Sequence, residues 1–263
     1  MYFRPKVFFQ LIFREPYGIH SPFLYELAQD SFYSKLDSKR FQHLEAKRRE
    51  LLRNNTVLQV TDFGQGSKTI ASEYRLPTYS RPVKDIARVS LQSPSYCRLM
   101  WRLIDHFKPK TLLELGTSLG ITTAYMADAA PDGQILSLEG CPQTANIAQT
   151  VLSQLGFSHA SVITGSFQDT LHAALQDMTK VDLVYIDGDH SYKGVMDNFE
   201  KILPYLHQQS ILILDDVRWS KEMYQGWLKI TQSNQATMCL DLYRMGIVLF
   251  NSGLSKQIIP IGY

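Results

Sequence analysis

The stretch Thr111-Leu-Leu-Glu-Leu-Gly116-Thr-Ser-Leu-Gly120 decides the fold. An apolar run carries a carboxylate, then passes through a glycine, three residues and a second glycine. That order reads as a buried strand over 111–115 that turns through a tight loop into a helix over about 119–130. In an open α/β sheet, ligands lie at the carboxyl ends of the strands, so Glu114 and Gly116 are expected at the ligand crevice.

Working outward, the same alternation repeats. Apolar strands are expected at 134–138, 160–163, 182–186 and 210–214, with helices over about 142–155, 167–177 and 191–207. In the last of these, Tyr192, Val195, Phe199, Ile202 and Leu206 recur at helical spacing. Upstream, Ser93-Pro94 reads as an N-cap with proline in the first turn, and Tyr96, Leu99, Leu103 and Phe107 share one face of the helix that follows. Alternating strand and helix implies a parallel sheet covered on both faces. Segments 237–242 and 245–250 are close enough to form a hairpin. The expected fold is α/β: a Rossmann-like, doubly wound, mostly parallel seven-stranded sheet with an antiparallel C-terminal hairpin. The pattern changes near residue 95. Residues 1–95 read as a mainly helical N-terminal cap or extension, and residues 96–263 as the main domain.

Composition limits the remaining possibilities. The chain has 263 residues and a net charge of +2, which by itself calls for no polyanionic partner. Cys97, Cys141 and Cys239 are too scattered for a disulfide or zinc framework, and they read as free thiols in a reducing, cytoplasmic setting. No apolar run reaches the roughly 18 residues of a transmembrane helix. Residues 1–14 are basic and apolar, and read as a docking segment rather than a signal peptide, with membrane-surface contact as the alternative. Lys35, Lys39, Arg40, Lys47, Arg48, Arg49 and Arg53 read as the solvated face of a helix, with Glu45 and Arg49 paired at i, i+4. The alternative is a patch for an acidic substrate or RNA. A small-molecule partner is expected rather than nucleic acid, and a homodimer is left open.

Five segments carry chemistry. The loop Gly116-x-x-x-Gly120 is not the G-x-G-x-x-G of dinucleotide sites, and Glu114 before it would repel a pyrophosphate but suits a ligand bearing positive charge. Glu139, followed by Gly140, lies 23 residues beyond Gly116 at the next strand end, where a carboxylate can accept both ribose hydroxyls. The alternative is a surface glutamate that starts a helix. In Ile163-Thr-Gly-Ser-Phe-Gln168-Asp169, Gln168 could hydrogen-bond an adenine edge and Phe167 pack on its ring, or Gly165-Ser166 could simply turn into a helix. The fourth segment, Val181-Asp-Leu-Val-Tyr-Ile-Asp187-Gly-Asp-His190-Ser-Tyr192, ends a buried strand in carboxylates and an imidazole. The fifth, Ile211-Leu-Ile-Leu-Asp215-Asp216, ends its neighbour in two carboxylates. Strand spacing would let Asp187, Asp215 and Asp216 converge within ~5 Å. Clustered carboxylates repel unless protonated or bound to a cation. Such hard oxygen donors suit Mg²⁺ or Ca²⁺ better than zinc. The alternative is an acidic cleft that orients substrate hydroxyls.

On these motifs, residues 96–263 resemble the class I S-adenosylmethionine-dependent methyltransferases, and most of all the catechol and caffeoyl-CoA O-methyltransferases. The stretch Asp187-Gly-Asp-His-Ser-Tyr192 also resembles a bacterial group of uncharacterised methyltransferases. The resemblance implies S-adenosyl-L-methionine as cofactor. Its contacts would be Glu114, Gly116, Thr117, Ser118, Gly120, Glu139, Gly140, Ser166, Phe167, Gln168 and Asp187, with Thr122 at the methionine carboxylate. It implies a divalent cation, Mg²⁺, on Asp187, Asp215 and Asp216. Asp216 stands where the family has asparagine, although related sugar O-methyltransferases use Asp-Asp. His190 stands where the family has its general-base lysine, and an imidazole with pKa ~6.5 can accept a proton near neutrality. Asp187 and His190 are therefore the expected catalytic pair, in a metal-assisted O-methylation of a small-molecule hydroxyl.

The rival readings are a nicotinamide-dependent oxidoreductase on a similar sheet and a non-catalytic cofactor- or RNA-binding protein. Upstream, Tyr17-Gly-Ile-His20-Ser-Pro-Phe23 and Asp62-Phe-Gly-Gln-Gly-Ser67 resemble segments found ahead of the domain in that bacterial group. The second imitates a nucleotide loop after the apolar run 57–60. No acidic strand end follows it, however, and Pro77 and Pro82 interrupt the sequence. It reads as a turn, or as a lid bringing His20 and Arg81 near substrate.

Overall fold

The computed structural model describes residues 21–34, 36–61 and 78–263. The expectations for residues 1–14, for Tyr17 to His20, for Lys35 and for the 62–67 loop lie outside the described residues.

The main sheet is built from β3 (Thr111–Leu115), β4 (Gln134–Glu139), β5 (Ala160–Thr164), β6 (Leu183–Ile186), β7 (Ile211–Leu214), β8 (Met238–Asp241), β9 (Gly246–Leu249) and β10 (Gln257–Pro260). Their order is β10-β8-β9-β7-β6-β3-β4-β5. The five strands from β7 to β5 are mutually parallel, and β9 runs antiparallel to both β7 and β8. Strands buried on both faces need continuous apolar runs, and Leu-Val-Tyr-Ile of β6 and Ile-Leu-Ile-Leu of β7 are wholly buried. Successive residues point to opposite faces. Leu112, Leu183, Tyr185, Ile211 and Ile213 therefore join one apolar cluster, and Leu113, Val184, Ile186, Leu212 and Leu214 join the other.

Two elements add to the expected plan. The sheet has eight strands rather than seven, because β10 pairs in parallel with β8 at the edge. Its Gln-Ile-Ile-Pro sequence is largely exposed and ends in proline, so it lacks the apolar run that marks the interior strands. A helix also forms over Lys221–Thr231, capped by the Ser220 hydroxyl. Met223, Trp227 and Ile230 are its buried face, and Trp227 lies so close to Gly246 that a Cβ there would sit 2.5 Å from the ring.

The N-terminal residues share the core of the sheet. Leu24, Leu27, Phe41, Leu44, Leu51 and Leu58 belong to the same apolar cluster as Leu112 and Tyr185. Phe41 packs its ring against Trp101 and Tyr125, with centroids 5.7 and 5.3 Å apart. The helix Gln42–Leu51 corrects one expectation. Arg48 is not on the solvated face; it is buried, donating to the Gln92 carbonyl at 2.6 Å and to Glu45 at 3.0 Å. Glu45 therefore pairs at i, i+3 with Arg48 rather than at i, i+4 with Arg49. The same carboxylate accepts the Tyr125 hydroxyl at 2.7 Å, which ties this helix to the sheet's own helix Ile121–Ala129.

Beyond it, β1 (Val57–Thr61) and β2 (Thr78–Pro82) pair antiparallel. Their ribbon leans on the start of helix Pro142–Gln154, where the Gln59 N–H donates to Gln143 at 2.7 Å. Arg81 is engaged locally, with the Asp85 carbonyl at 3.2 Å. All three cysteines are buried and unpaired, and among the described residues no helix is long and apolar enough to cross a membrane.

The C-terminal hairpin is fastened from below. Arg218, fully buried, donates to both oxygens of Asp241 at 2.7 and 2.6 Å and to the Tyr243 carbonyl at 2.6 Å. Its guanidinium lies near the rings of Tyr224 and Tyr243, at 4.9 and 4.8 Å. Removing one partner of such a pair leaves an uncompensated buried charge, at a cost of about 3–5 kcal/mol. Asp241→Ala is expected to lower unfolding stability by that amount in a urea titration. A loss under about 1 kcal/mol, the range of an exposed pair, would show the pair to be solvated.

Candidate active site

The loop after β3 is shaped by close approach. Gly116 has φ +106°, and a Cβ there would lie 2.2 Å from the Asp187 carbonyl oxygen. Only glycine permits both the backbone angle and the contact. The Gly116 and Thr117 N–H groups donate to the Leu138 carbonyl at 2.9 and 3.2 Å, and the Asp187 N–H donates to the Leu115 carbonyl at 2.9 Å. These bonds place the loop between the ends of β4 and β6. Gly120, at φ +79°, then opens the helix Ile121–Ala129 with its Cβ position against Ala148.

Glu139 ties this loop to the next helix. Its carboxylate accepts the Ser118 N–H at 2.8 Å and the Cys141 N–H at 2.9 Å. Burial pushes its pKa up, and those two N–H groups pull it down. Gly140 follows it, partly open. The Ser118 hydroxyl meets that of Ser90 at 2.8 Å, so the N-terminal region touches the loop.

Glu114 lies deeper than expected. It is fully buried, with one oxygen accepting the hydroxyls of Thr123 and Ser137, both at 2.5 Å. Ser137 in turn meets the Thr117 hydroxyl at 2.5 Å. The other Glu114 oxygen is buried without a partner among the described residues. Burial raises this carboxyl from its ordinary 4.5 to about 7, against the pull of the two hydroxyls. Thr122 is nearly buried and hydrogen-bonds the Cys97 thiol.

The third motif forms the turn that its alternative reading described. Ser166 caps the helix Phe167–Met178, accepting the Asp169 N–H at 3.3 Å and donating to its carboxylate at 2.6 Å. Gln168 is exposed. Phe167 crosses to the fourth motif, where a Cβ at Gly188 would lie 2.9 Å from its ring.

The carboxylates do converge, but in two different ways. Asp215 is fully buried, with both oxygens partnered. It accepts from Gln92, from the Tyr185 hydroxyl at 3.2 Å, and from Arg244 Nε and Nη2 at 3.2 Å each. Asp187 and Asp216 keep about a fifth of their side-chain surface open. Asp216 turns outward at φ +51° and pairs with Arg244 Nε at 3.2 Å. Asp187 Oδ2 lies at the same 3.2 Å from the Tyr185 hydroxyl, whose one proton the two carboxylates share, and Asp187 Oδ1 faces His190 Nε2 at 3.9 Å. Burial, then the charges of Asp215 and Asp216, push the Asp187 pKa well above the carboxylate range. Burial and Asp215 likewise raise Asp216. One ligand atom each from Asp187, His190 and Asp216 lies within 4.8 Å of the others. Of the expected Asp187, Asp215 and Asp216, two stand with His190 in the open group, and Asp215 lies buried behind them against Arg244.

Residues 113–217 match the family model described as "Methyltransferase domain". Over those residues, about two fifths of the chain, the sequence is similar to a methyltransferase domain. Among curated relatives, it is 32% identical over 100 residues to a catechol O-methyltransferase of Niastella koreensis, covering 37% of this chain and 45% of that one. It is 33% identical over 85 residues to a protein-L-isoaspartate O-methyltransferase of Methanocella arvoryzae, covering 32% and 45%. The chain thus spans less than half the length of these curated relatives. In fold it is similar to an O-methyltransferase from Bacillus cereus solved with SAH, with TM-score 0.55, 16% identity, and coverage of 85% and 96%.

Around this site, reading the sequence missed Gln92, Tyr185 and Arg244. Tyr185 was recoverable, because it sits two residues before Asp187 on the same strand and so on the same face. Gln92 and Arg244 reach Asp215 from 123 and 29 residues away, and no local pattern marks them.

Two measurements follow. Gly116→Ala should lower the melting temperature, because the Asp187 carbonyl is backbone and cannot move aside, and a Tm equal to the parent's would refute the contact. For Glu114, the folded pKa lies above the unfolded one, so the unfolded chain ionises first as pH rises. The penalty therefore grows between pH 4.5 and about 7, is fully present above it and is absent below pH 4.5. At pH 8, without added ligand, Glu114→Gln should be more stable by roughly 3 kcal/mol. That advantage should shrink to nothing by pH 4.5. A pH-independent difference would contradict the assignment.

Proposed function

We propose that the protein is an S-adenosylmethionine-dependent methyltransferase acting on a hydroxyl of a small molecule. The observation that carries this reading is the direct contact of the glycine loop with the Asp187 strand end. A cofactor bound along the loop would present its reactive end to the carboxylate–imidazole group.

The residues fit such a cofactor chemically. Glu139 ends β4 with carboxylate lone pairs that can accept ribose hydroxyls, and it fixes the Ser118 backbone through one N–H bond. The unpartnered oxygen of Glu114 is a buried acceptor suited to an ammonium group or to a water bound between them. A cation beside it would hold Glu114 ionised despite its burial. Phe167 closes one side of the Asp187-Gly188 turn with an apolar ring.

At the acceptor end, Asp187 would orient the hydroxyl and His190, while no cation occupies its Nε2, would receive the proton, leaving the oxygen aligned with the sulfonium methyl. Alignment of this kind supplies much of the acceleration in a direct displacement. A divalent cation fits the open group of Asp187, His190 and Asp216, and when bound it would lower the pKa of the hydroxyl. Residues 1–95 would cap the acceptor side.

Calorimetry should show saturable binding of S-adenosylhomocysteine and none of NAD. Tight NAD binding without S-adenosylhomocysteine binding would replace this reading with a nicotinamide-dependent one. Asp187→Asn should cut the transfer of radiolabelled methyl to a hydroxyl acceptor by about 10²-fold or more. An unchanged rate would remove Asp187 from the chemistry.

A further inference from the structure

We propose that His190, not Asp215, completes the divalent-cation site, and that Arg244 holds Asp215 out of it, so that the site favours Mn²⁺, Fe²⁺ or Co²⁺ over Mg²⁺ and Ca²⁺. The proposal rests on the methyltransferase reading for the site's purpose, but its test reads metal binding alone.

Asp215 is fully buried, and both of its oxygens face the Arg244 guanidinium, Oδ1 toward Nε and Oδ2 toward Nη2, while Oδ2 also accepts from Gln92. Ligation by Asp215 would expel a guanidinium from a fully buried carboxylate, at a large desolvation cost. Asp187 is different. Its Oδ2 shares the Tyr185 proton with Asp215, while its Oδ1 faces the imidazole across 3.9 Å, too far for a hydrogen bond and suited to a shared third atom. Metal–ligand bonds of about 2.0–2.2 Å put neighbouring ligand atoms roughly 3–4.4 Å apart. The observed spread, within 4.8 Å, needs only side-chain adjustment to meet that spacing.

His190 is presented for this role by a fixed turn. Asp189, at φ +50°, accepts the Ser191 hydroxyl at 2.8 Å, and Ser191 caps the helix Tyr192–Ile202. The Trp219 ring stands beside the imidazole, with centroids 6.0 Å apart. The charges also agree. Arg244 offsets one of the three carboxylates, and a divalent ion would offset the other two. An imidazole nitrogen among the donors moves preference away from the all-oxygen ions and toward first-row transition metals. On this assignment His190 Nε2 would ligate the cation, and a hydroxyl acidified by it would release its proton to water rather than to a free imidazole.

The test is Mn²⁺ titration of the full chain followed by electron spin-echo spectroscopy, with S-adenosylhomocysteine binding and thermal melting run on every variant as controls for folding. The parent should bind Mn²⁺ more tightly than Mg²⁺ and show ¹⁴N modulation from a ligated imidazole. His190→Ala should lose the modulation and weaken Mn²⁺ by at least about 10-fold, while Mg²⁺ binding changes little. Asp215→Asn should keep the modulation and bind Mn²⁺ nearly as the parent does. If that variant does not fold, the parent and His190→Ala spectra decide the question. Absence of ¹⁴N modulation in the parent would overturn the proposal. So would loss of Mn²⁺ binding in Asp215→Asn with retention in His190→Ala. Binding of S-adenosylhomocysteine with no Mn²⁺ binding would overturn the cation site and leave the methyltransferase reading standing.

Discussion

Asp187 and Asp215 end adjacent parallel strands, and Asp216 follows directly, so three negative charges meet in a crevice that water reaches only in part. Much of the surrounding structure answers to that repulsion. Arg244 supplies the compensating charge, and it comes from the turn between β8 and β9. The antiparallel hairpin is therefore more than an edge to the sheet, since it delivers a cation to the ends of β6 and β7. The turn is held by the Leu242 N–H donating to the Met245 carbonyl at 2.9 Å and, beneath it, by the buried Arg218–Asp241 pair. One ion pair thus supports another, and the outer one leaves Asp187 and Asp216 partly free for chemistry.

The second organising contact is steric. The Gly116 Cα lies against the Asp187 carbonyl, so the loop after β3 and the turn after β6 form a continuous surface. Glu139 fixes one side of that surface and Phe167 the other. Beneath it, Glu114, Thr123, Ser137 and Thr117 form a polar network inside an apolar core. A buried carboxylate with an unused oxygen costs stability in the free protein. That cost is what a cationic ligand would recover on binding, so part of the cofactor's affinity would be stored in the fold.

Much of this was legible in the sequence because buried parallel strands leave continuous apolar runs and end in functional residues. The segments around Glu114, Glu139, Asp187 and Asp215 stand at strand ends in the expected order. What escaped was long-range or weakly patterned. β10 is an exposed edge strand without an apolar run. The helix Lys221–Thr231 did carry a legible signal in Met223, Trp227 and Ile230. Arg48 was assigned to solvent because it lies in a basic run, and only tertiary packing reveals its partners at Gln92 and Glu45. The exchange of Asp215 for His190 in the open cluster depends on Arg244 and Gln92, which no spacing rule connects to Asp215.

The N-terminal residues extend the same logic. They share the core through Phe41 and Leu44, and they reach the site through Gln92 and Ser90. Their sequence therefore bears on the geometry of Asp215 and of the Ser118 loop. The most direct test of the whole account is a crystal structure of the full chain with S-adenosylhomocysteine. The account predicts the ribose on Glu139, the amino acid end above the Gly116–Gly120 loop near Glu114, and the sulfur facing Asp187 and His190. A nucleotide bound elsewhere, or with its sulfur turned away from Asp187, would contradict it.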